Sequence, residues 1–205
     1  KLVDMTIRML IEPTFESNSL LLADTLTEEG IRKKAMLVEA ARKMDVYEIG
    51  MDDDEAAAAA LTVLSSAAKF AAFLRTIEVD VPTKVSPTTG KEIPALAKTD
   101  EGFLSLQEHD DPLVATAAAA RLDAKSTILQ TRIQAFMDAS NAHPEKKVPI
   151  PLKYYGADTT GRWSGWGYNP QNLPRVNPYN PRPSDALRRS LIAPPGHKVV
   201  VADLS

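Results

Sequence analysis

The sequence predicts an α+β protein, with a helical body up to residue 143 followed by short strands and turns to residue 205. Three observations predict it. Apolar residues recur at helical steps through the first part, with alanine tracts among them. Ten of the fifteen prolines, both tryptophans and four of the five tyrosines crowd into residues 144–195. Three consecutive valines at 199–201 then read as a buried strand. The expected organisation is a connector over 1–25, a helical domain over 26–143 and a strand-bearing segment over 144–205.

Thr25 followed by Glu28 has capping-box spacing, and Ile31, Ala35, Val38 and Ala41 recur at helical steps behind it. A helix is therefore expected from about 26 to 45. Lys33, Lys34, Arg42 and Lys43 fill its other face and last turn, where they complement the helix dipole. Acidic residues at 52–55 precede the alanines at 56–60, as a helix N-terminus prefers, and Leu61, Val63 and Leu64 continue that helix. Ser65 or Ser66 caps the next, which carries Lys69, Phe70, Phe73 and Leu74.

Residues 80–98, with three prolines, a Thr-Gly turn signal and several lysines, read as an exposed loop. Asp111 and Pro112 are a cap followed by proline at the first helical position. From Leu113 to about Ala142 nothing in the pattern breaks the helix, and a rod of roughly 45 Å is expected. Past Lys146, Ile150 to Gly156 alternates weakly and suits a strand. Ser184 caps a short helix with Leu187, Arg188, Arg189 and Leu191. Pro194, Pro195 and Gly196 turn the chain into a strand over 198–202, with Asp203 at its end.

Composition narrows the chemistry. With no cysteine, disulfides, thiolate zinc sites and cysteine nucleophiles are excluded. His109, His143 and His197 stand far apart, which argues against a histidine metal cage. There is no run of eighteen apolar residues and no signal-peptide pattern, so no membrane partner and a cytoplasmic location are expected. The first residue is Lys1, which reads as a piece of something longer. The net charge of −3 hides a split. Residues 1–143 carry 15 basic and 23 acidic side chains, while residues 144–195 carry 8 basic and 3 acidic. Such a basic, aromatic segment can meet a polyanion or can be a solvated, loop-rich surface.

Several motifs then occur in order: Thr160-Gly161-Arg162-Trp163-Ser164-Gly165, Gln171-Asn172-Leu173-Pro174-Arg175, the run from Leu187 through His197, and the run from Val199 through Asp203 to Ser205. In order and spacing they resemble the early palm of a family A, polymerase-I-like DNA polymerase, and the last resembles the start of that family's motif A. Ser65-Ser66 before Lys69-Phe70, Thr89-Gly90-Lys91 and Lys125-Ser126-Thr127 resemble its thumb, and Thr6-Ile7-Arg8-Met9 resembles the exit from the exonuclease-like domain in phage members. The similarity spans nearly the whole chain and is strongest over 153–205. It implies an incomplete right-hand fold, with a helical thumb followed by the N-terminal part of the palm.

The resemblance implies template-directed nucleotidyl transfer with two Mg²⁺ ions. Asp203 would be the catalytic, metal-bridging carboxylate, and the backbone carbonyl of Leu204 a further ligand. Read without it, Asp203 is an acid ending a strand, a common place for one. The resemblance puts Arg162 against minor-groove acceptors near the primer terminus and Gln171 and Asn172 against the duplex groove and template. Otherwise the two amides cap a turn. Arg175 suits phosphate, or else caps a carboxylate, and phosphate is the preferred assignment; Lys125, Ser126 and Thr127 are assigned to the primer backbone, and a lone helical lysine is otherwise a solvated face. Trp163 and Trp166 either stack on bases or pack beneath the strands, and His197 is a structural turn residue.

The fingers, the rest of motif A and the second catalytic carboxylate have no counterpart in these residues. One carboxylate does not hold two Mg²⁺ productively. The expectation is a DNA-directed DNA polymerase part that is inactive alone, binds primer–template DNA, and uses dNTP once a second polypeptide supplies the fingers and C-terminal palm. A non-catalytic DNA-binding or clamp-like subunit is the competing reading. A helical protein whose basic loops bind another protein is the third.

Overall fold

The computed structural model describes residues 1–173 and 181–200. The chain is mixed α+β, with helices predominating and small two-stranded sheets. It divides into two compact units, Gly30–Ser126 and the combination of Lys1–Glu29 with Thr127–Ser205. Among the described residues no single helix is long and apolar enough to cross a membrane.

The unit Gly30–Ser126 holds most of α2 (Ser19–Lys43), then α3 (Asp53–Ser65), α4 (Ala67–Thr76), β2 (Thr83–Val85), β3 (Glu92–Pro94), α5 (Glu101–Gln107) and α6 (Pro112–Lys125). Asp52 opens α3 with a capping box: its carboxylate accepts from the amides of Asp54 and Glu55, and Glu55 accepts in return from the amide of Asp52. The Ser66 hydroxyl accepts from Lys69 N to start α4, and Asp111 accepts from Leu113 N at 2.8 Å to start α6. The Asp111 cap stands where the sequence puts it, Ser66 is one of the two serines expected to cap α4, and Asp52 is one of the acidic residues expected before α3. α3 lies against α6, and much of that contact is alanine: Ala56, Ala57 and Ala60 on one side, Ala117, Ala118 and Ala120 on the other. Small side chains let the two backbones approach, and Leu64, Phe70, Leu74, Phe103 and Val114 fill the remaining core.

Arg121 is buried in this core, 1% exposed. Its guanidinium donates to the carbonyls of Leu64 and, at 3.3 Å, Ser66, and lies 4.9 Å above the ring of Phe70. It thereby satisfies carbonyls at the corner where α3 ends and α4 begins. Desolvation lowers its pKa from the ordinary value.

The other unit contains α1 (Leu2–Ile11), β1 (Glu16–Ser17), the start of α2, α7 (Ile128–Ala142), β4 (Leu152–Ala157), β5 (Arg162–Gly165), α8 (Pro181–Arg189) and β6 (Leu191–Ile192). β1 pairs antiparallel with β6, and β4 with β5. Its core gathers Leu22, Ile133, Phe136, Val148, Tyr168 and Leu187. Phe136 and Tyr168 meet edge to face at 5.0 Å, and the buried Tyr168 hydroxyl donates to the carbonyl of Pro149. Burial pushes that phenol above its usual pKa.

The structure corrects five expectations. α2 begins at Ser19, not near residue 26, because Asn18 Oδ1 accepts from Leu21 N at 3.0 Å and Leu22 is drawn into the core. Thr25 lies inside the helix and donates to the carbonyl of Leu21 at 2.6 Å, so it is no cap. The rod expected over 113–142 is two helices, broken at Ser126 and Thr127. Ser126 has ψ of 96°, and its carbonyl accepts from the Lys33 ammonium in place of a helical amide.

The segment 80–98 contains a β-hairpin rather than only a loop. β2 pairs with β3 in the register Lys84↔Ile93, closed by Ser86 N to the Lys91 carbonyl at 2.8 Å. α8 begins at Pro181, so Ser184 is within it rather than capping it. Finally, Lys198, Val199 and Val200 form no strand and are exposed, Val200 by 85%. Valines of a strand stay buried only where a neighbouring strand pairs with them, and Val199 and Val200 pair with none of the described strands; Val201 lies outside the described residues.

Candidate nucleic-acid interface

β4 and β5 form an irregular antiparallel hairpin. Lys153 pairs with Ser164 and Ala157 with Arg162, with a register shift between them that bulges β4 around Tyr154, Tyr155 and Gly156. The amides of Thr160 and Gly161 both return to the Ala157 carbonyl, at 3.1 and 2.8 Å, and close the connecting turn. Gly161 has φ of +63°, and a Cβ there would lie 2.8 Å from the ring of Tyr155. Turn geometry and close approach thus both demand glycine before Arg162. Arg162 leaves this turn as the first residue of β5, with its side chain exposed and no ion-pair partner among the described residues.

A 3₁₀ turn, Pro170–Asn172, lies against β5 and is entered through Asn169 with φ of +50°. Gln171 Nε2 donates to the Trp163 carbonyl at 3.0 Å, which fastens the turn to the residue after Arg162. The Asn172 carbonyl accepts from Arg132 of α7 at 3.0 Å, and the Asn172 side chain is exposed. Arg162, Gln171 and Asn172 are therefore all exposed in one unit, on two segments joined by the Gln171 bond. The Gln171 amide also performs the turn-holding task that the sequence allows it.

Lys125 and Ser126 end α6, and Thr127 precedes α7; all three are exposed. They occupy the break between two helices, not the middle of a rod. Arg175, Asp203 and Leu204 lie outside the described residues. Trp163 is half-buried, and its indole N–H donates to Thr6 Oγ1 of α1 at 3.0 Å, while Trp166 is exposed. His197 Nδ1 lies 3.1 Å from the Pro195 carbonyl, within its turn.

Among the described residues no three His, Asp or Glu side chains gather in a way that could hold a metal ion. The surface they offer is instead cationic and aromatic. The sequence places Lys153, Tyr154 and Tyr155 in a strand without assigning them to the site, and the bulge leaves them exposed on the hairpin that carries Arg162. A Lys-Tyr-Tyr-Gly string on a weakly alternating strand is the signal that marks them. No known protein family matches the chain, and no curated protein matches it.

Proposed function

We propose that this chain is the thumb and N-terminal palm part of a family A-like DNA-directed DNA polymerase, and that its described surface holds primer–template DNA. The observation that supports the reading most is the joining of two motifs. The turn carrying Thr160, Gly161 and Arg162 is fastened through Gln171 to the turn carrying Gln171 and Asn172, and Arg162 stands exposed with no described ion-pair partner. An arginine so placed can donate to base-edge acceptors or phosphates without first breaking a salt bridge. The adjoining Asn172 amide can both donate and accept.

Asp203 and the Leu204 carbonyl remain the proposed Mg²⁺ ligands of the completed enzyme. The described residues converge on no cation site, so no metal-dependent step is assigned to them. Their part is to bind and orient DNA. The fingers and second carboxylate would come from further polypeptide, and a clamp-like subunit without chemistry is the competing outcome.

The test is Mg²⁺-dependent primer extension with fingers and C-terminal palm supplied, paired with primer–template binding across a salt series. Asp203→Ala should abolish extension and leave binding intact. Arg162→Ala should weaken binding by about tenfold, the worth of one charge-assisted hydrogen bond. Binding that Asp203→Ala and Arg162→Ala both leave unchanged, with no extension by the parent chain, would overturn the polymerase reading.

A further inference from the structure

The β4–β5 hairpin keeps aromatic surface in water at a conformational cost. Tyr154 is 48% exposed and Tyr155 61%, with ring centroids 6.5 Å apart. Tyr155 has φ of +54°, a left-handed conformation that bulky side chains rarely adopt. Its ring lies over Gly161, and Gly156 beside it admits no Cβ, which would come within 2.7 Å of Lys153 and 2.8 Å of Ser164. Tyr154 is steadied from the other side by Trp163, edge to face at 6.2 Å, and the indole is tied to Thr6. Both rings are thus held in place on an exposed bulge.

Strain of this kind persists where surrounding contacts over-determine it, and it clusters where a surface is shaped for a ligand. The neighbours name the ligand class. Lys153 precedes the pair and Arg162 stands across the hairpin; both are exposed and have no ion-pair partner among the described residues. The surrounding segment 144–195 carries eight basic against three acidic side chains. Aromatic faces interleaved with unpaired cations fit a strand of bases joined by phosphates. A duplex hides its base faces in its own stack, so an unpaired base is the better match.

We propose that Tyr154 and Tyr155 form a stacking platform for an unpaired nucleobase of single-stranded DNA, with Lys153 and Arg162 taking the flanking phosphates. The proposal rests on the reading above that this chain binds DNA, and adds a single-strand subsite beside the duplex contacts.

The test titrates the 205-residue chain into a short oligothymidylate and, separately, into a blunt duplex, both fluorophore-labelled. The variants are Tyr154→Ala, Tyr155→Gly, and Tyr→Phe at each position. Tyr155→Gly relieves the left-handed strain, so it should melt no lower than the parent chain while binding the single strand about tenfold more weakly. Tyr154→Ala should weaken single-strand binding to a similar degree, the phenylalanine variants should retain it, and duplex affinity should stay unchanged. An oligonucleotide carrying 2-aminopurine should lose fluorescence on the parent chain and regain it on the alanine variant.

Single-strand affinity untouched by Tyr154→Ala and Tyr155→Gly would overturn the platform, as would an equal loss for both nucleic acids. A parent chain that binds the duplex but no single strand would remove the subsite and keep the DNA reading. A chain that binds neither, or only anionic vesicles, would remove both.

Discussion

The two units solve opposite problems with their polar and aromatic groups. In Gly30–Ser126 the aromatic rings Phe70 and Phe103 are buried, and even a guanidinium, that of Arg121, is drawn inside and used to satisfy carbonyls. In the unit built on Lys1–Glu29 and Thr127 onward, Tyr154, Tyr155 and Trp166 stay in water beside Lys153 and Arg162, which have no ion-pair partner among the described residues, on or next to a hairpin with left-handed residues. One unit uses its unusual residues for stability. The other leaves them exposed, where we propose that they meet DNA. Changes at Arg121 and the buried rings of the first should therefore lower melting temperature and spare DNA affinity per folded molecule, and changes at Tyr154 and Tyr155 should lower single-strand affinity and spare melting temperature.

The largest effect is expected from Arg121→Ala. It empties volume beside Phe70 and leaves the carbonyls of Leu64 and Ser66 without their donor. A loss of about 3 kcal/mol is expected by calorimetry or urea unfolding. An equal fall in single-strand affinity at temperatures where the variant is folded would break the contrast between units.

Gly102→Ala comes next. A Cβ on Gly102 would run into the ring of Pro82, which cannot rotate away, and about 2 kcal/mol of stability should go with it. Asp52→Ala removes the carboxylate that accepts from the Asp54 and Glu55 amides, the side-chain half of the α3 capping box, and should cost about 1 kcal/mol, while Asp52→Ser should recover most of it.

The smallest effect concerns pH. The Asp100 carboxylate accepts from Lys84 Nζ at 2.6 Å and from Ala97 N at 2.8 Å, and these contacts hold its pKa below the ordinary aspartate value, the Lys84 bond first. A lowered pKa favours the folded state above the unfolded value, and that contribution fades as pH falls through the folded one. Amides of the β2–β3 hairpin should therefore exchange faster as pH falls through the acidic range, after correction for intrinsic rates. Asp100→Asn should flatten that dependence.

How much of this was legible follows from how local each cause is. Ser66 and Asp111 act on amides two or three residues away, so local spacing alone reveals them, and the acidic run at 52–55 marks the start of α3 without singling out its cap. The α+β division follows from composition for a similar reason. The break at Ser126 and Thr127 is not of that kind, since the lysine that takes the Ser126 carbonyl lies 93 residues earlier. Leu22, too, extends α2 toward its N-terminus through a core assembled from distant segments. In the candidate site, Gly161 and Arg162 were readable as a motif, and their turn geometry supplies the reason for the glycine. Tyr155 was not readable, because its left-handed backbone arises from a register shift across two strands.

The corner between α3 and α4 turns the chain by 98°, and the Arg121 side chain clasps carbonyls on both sides of it. A joint riveted in this way has no partial opening open to it, because swinging either helix would strand a charged donor in a dry interior. Amide hydrogens flanking Ser66 should then exchange only when the whole unit unfolds, and a protease should find no purchase at a bend that its sequence, two adjacent serines, advertises as a loop.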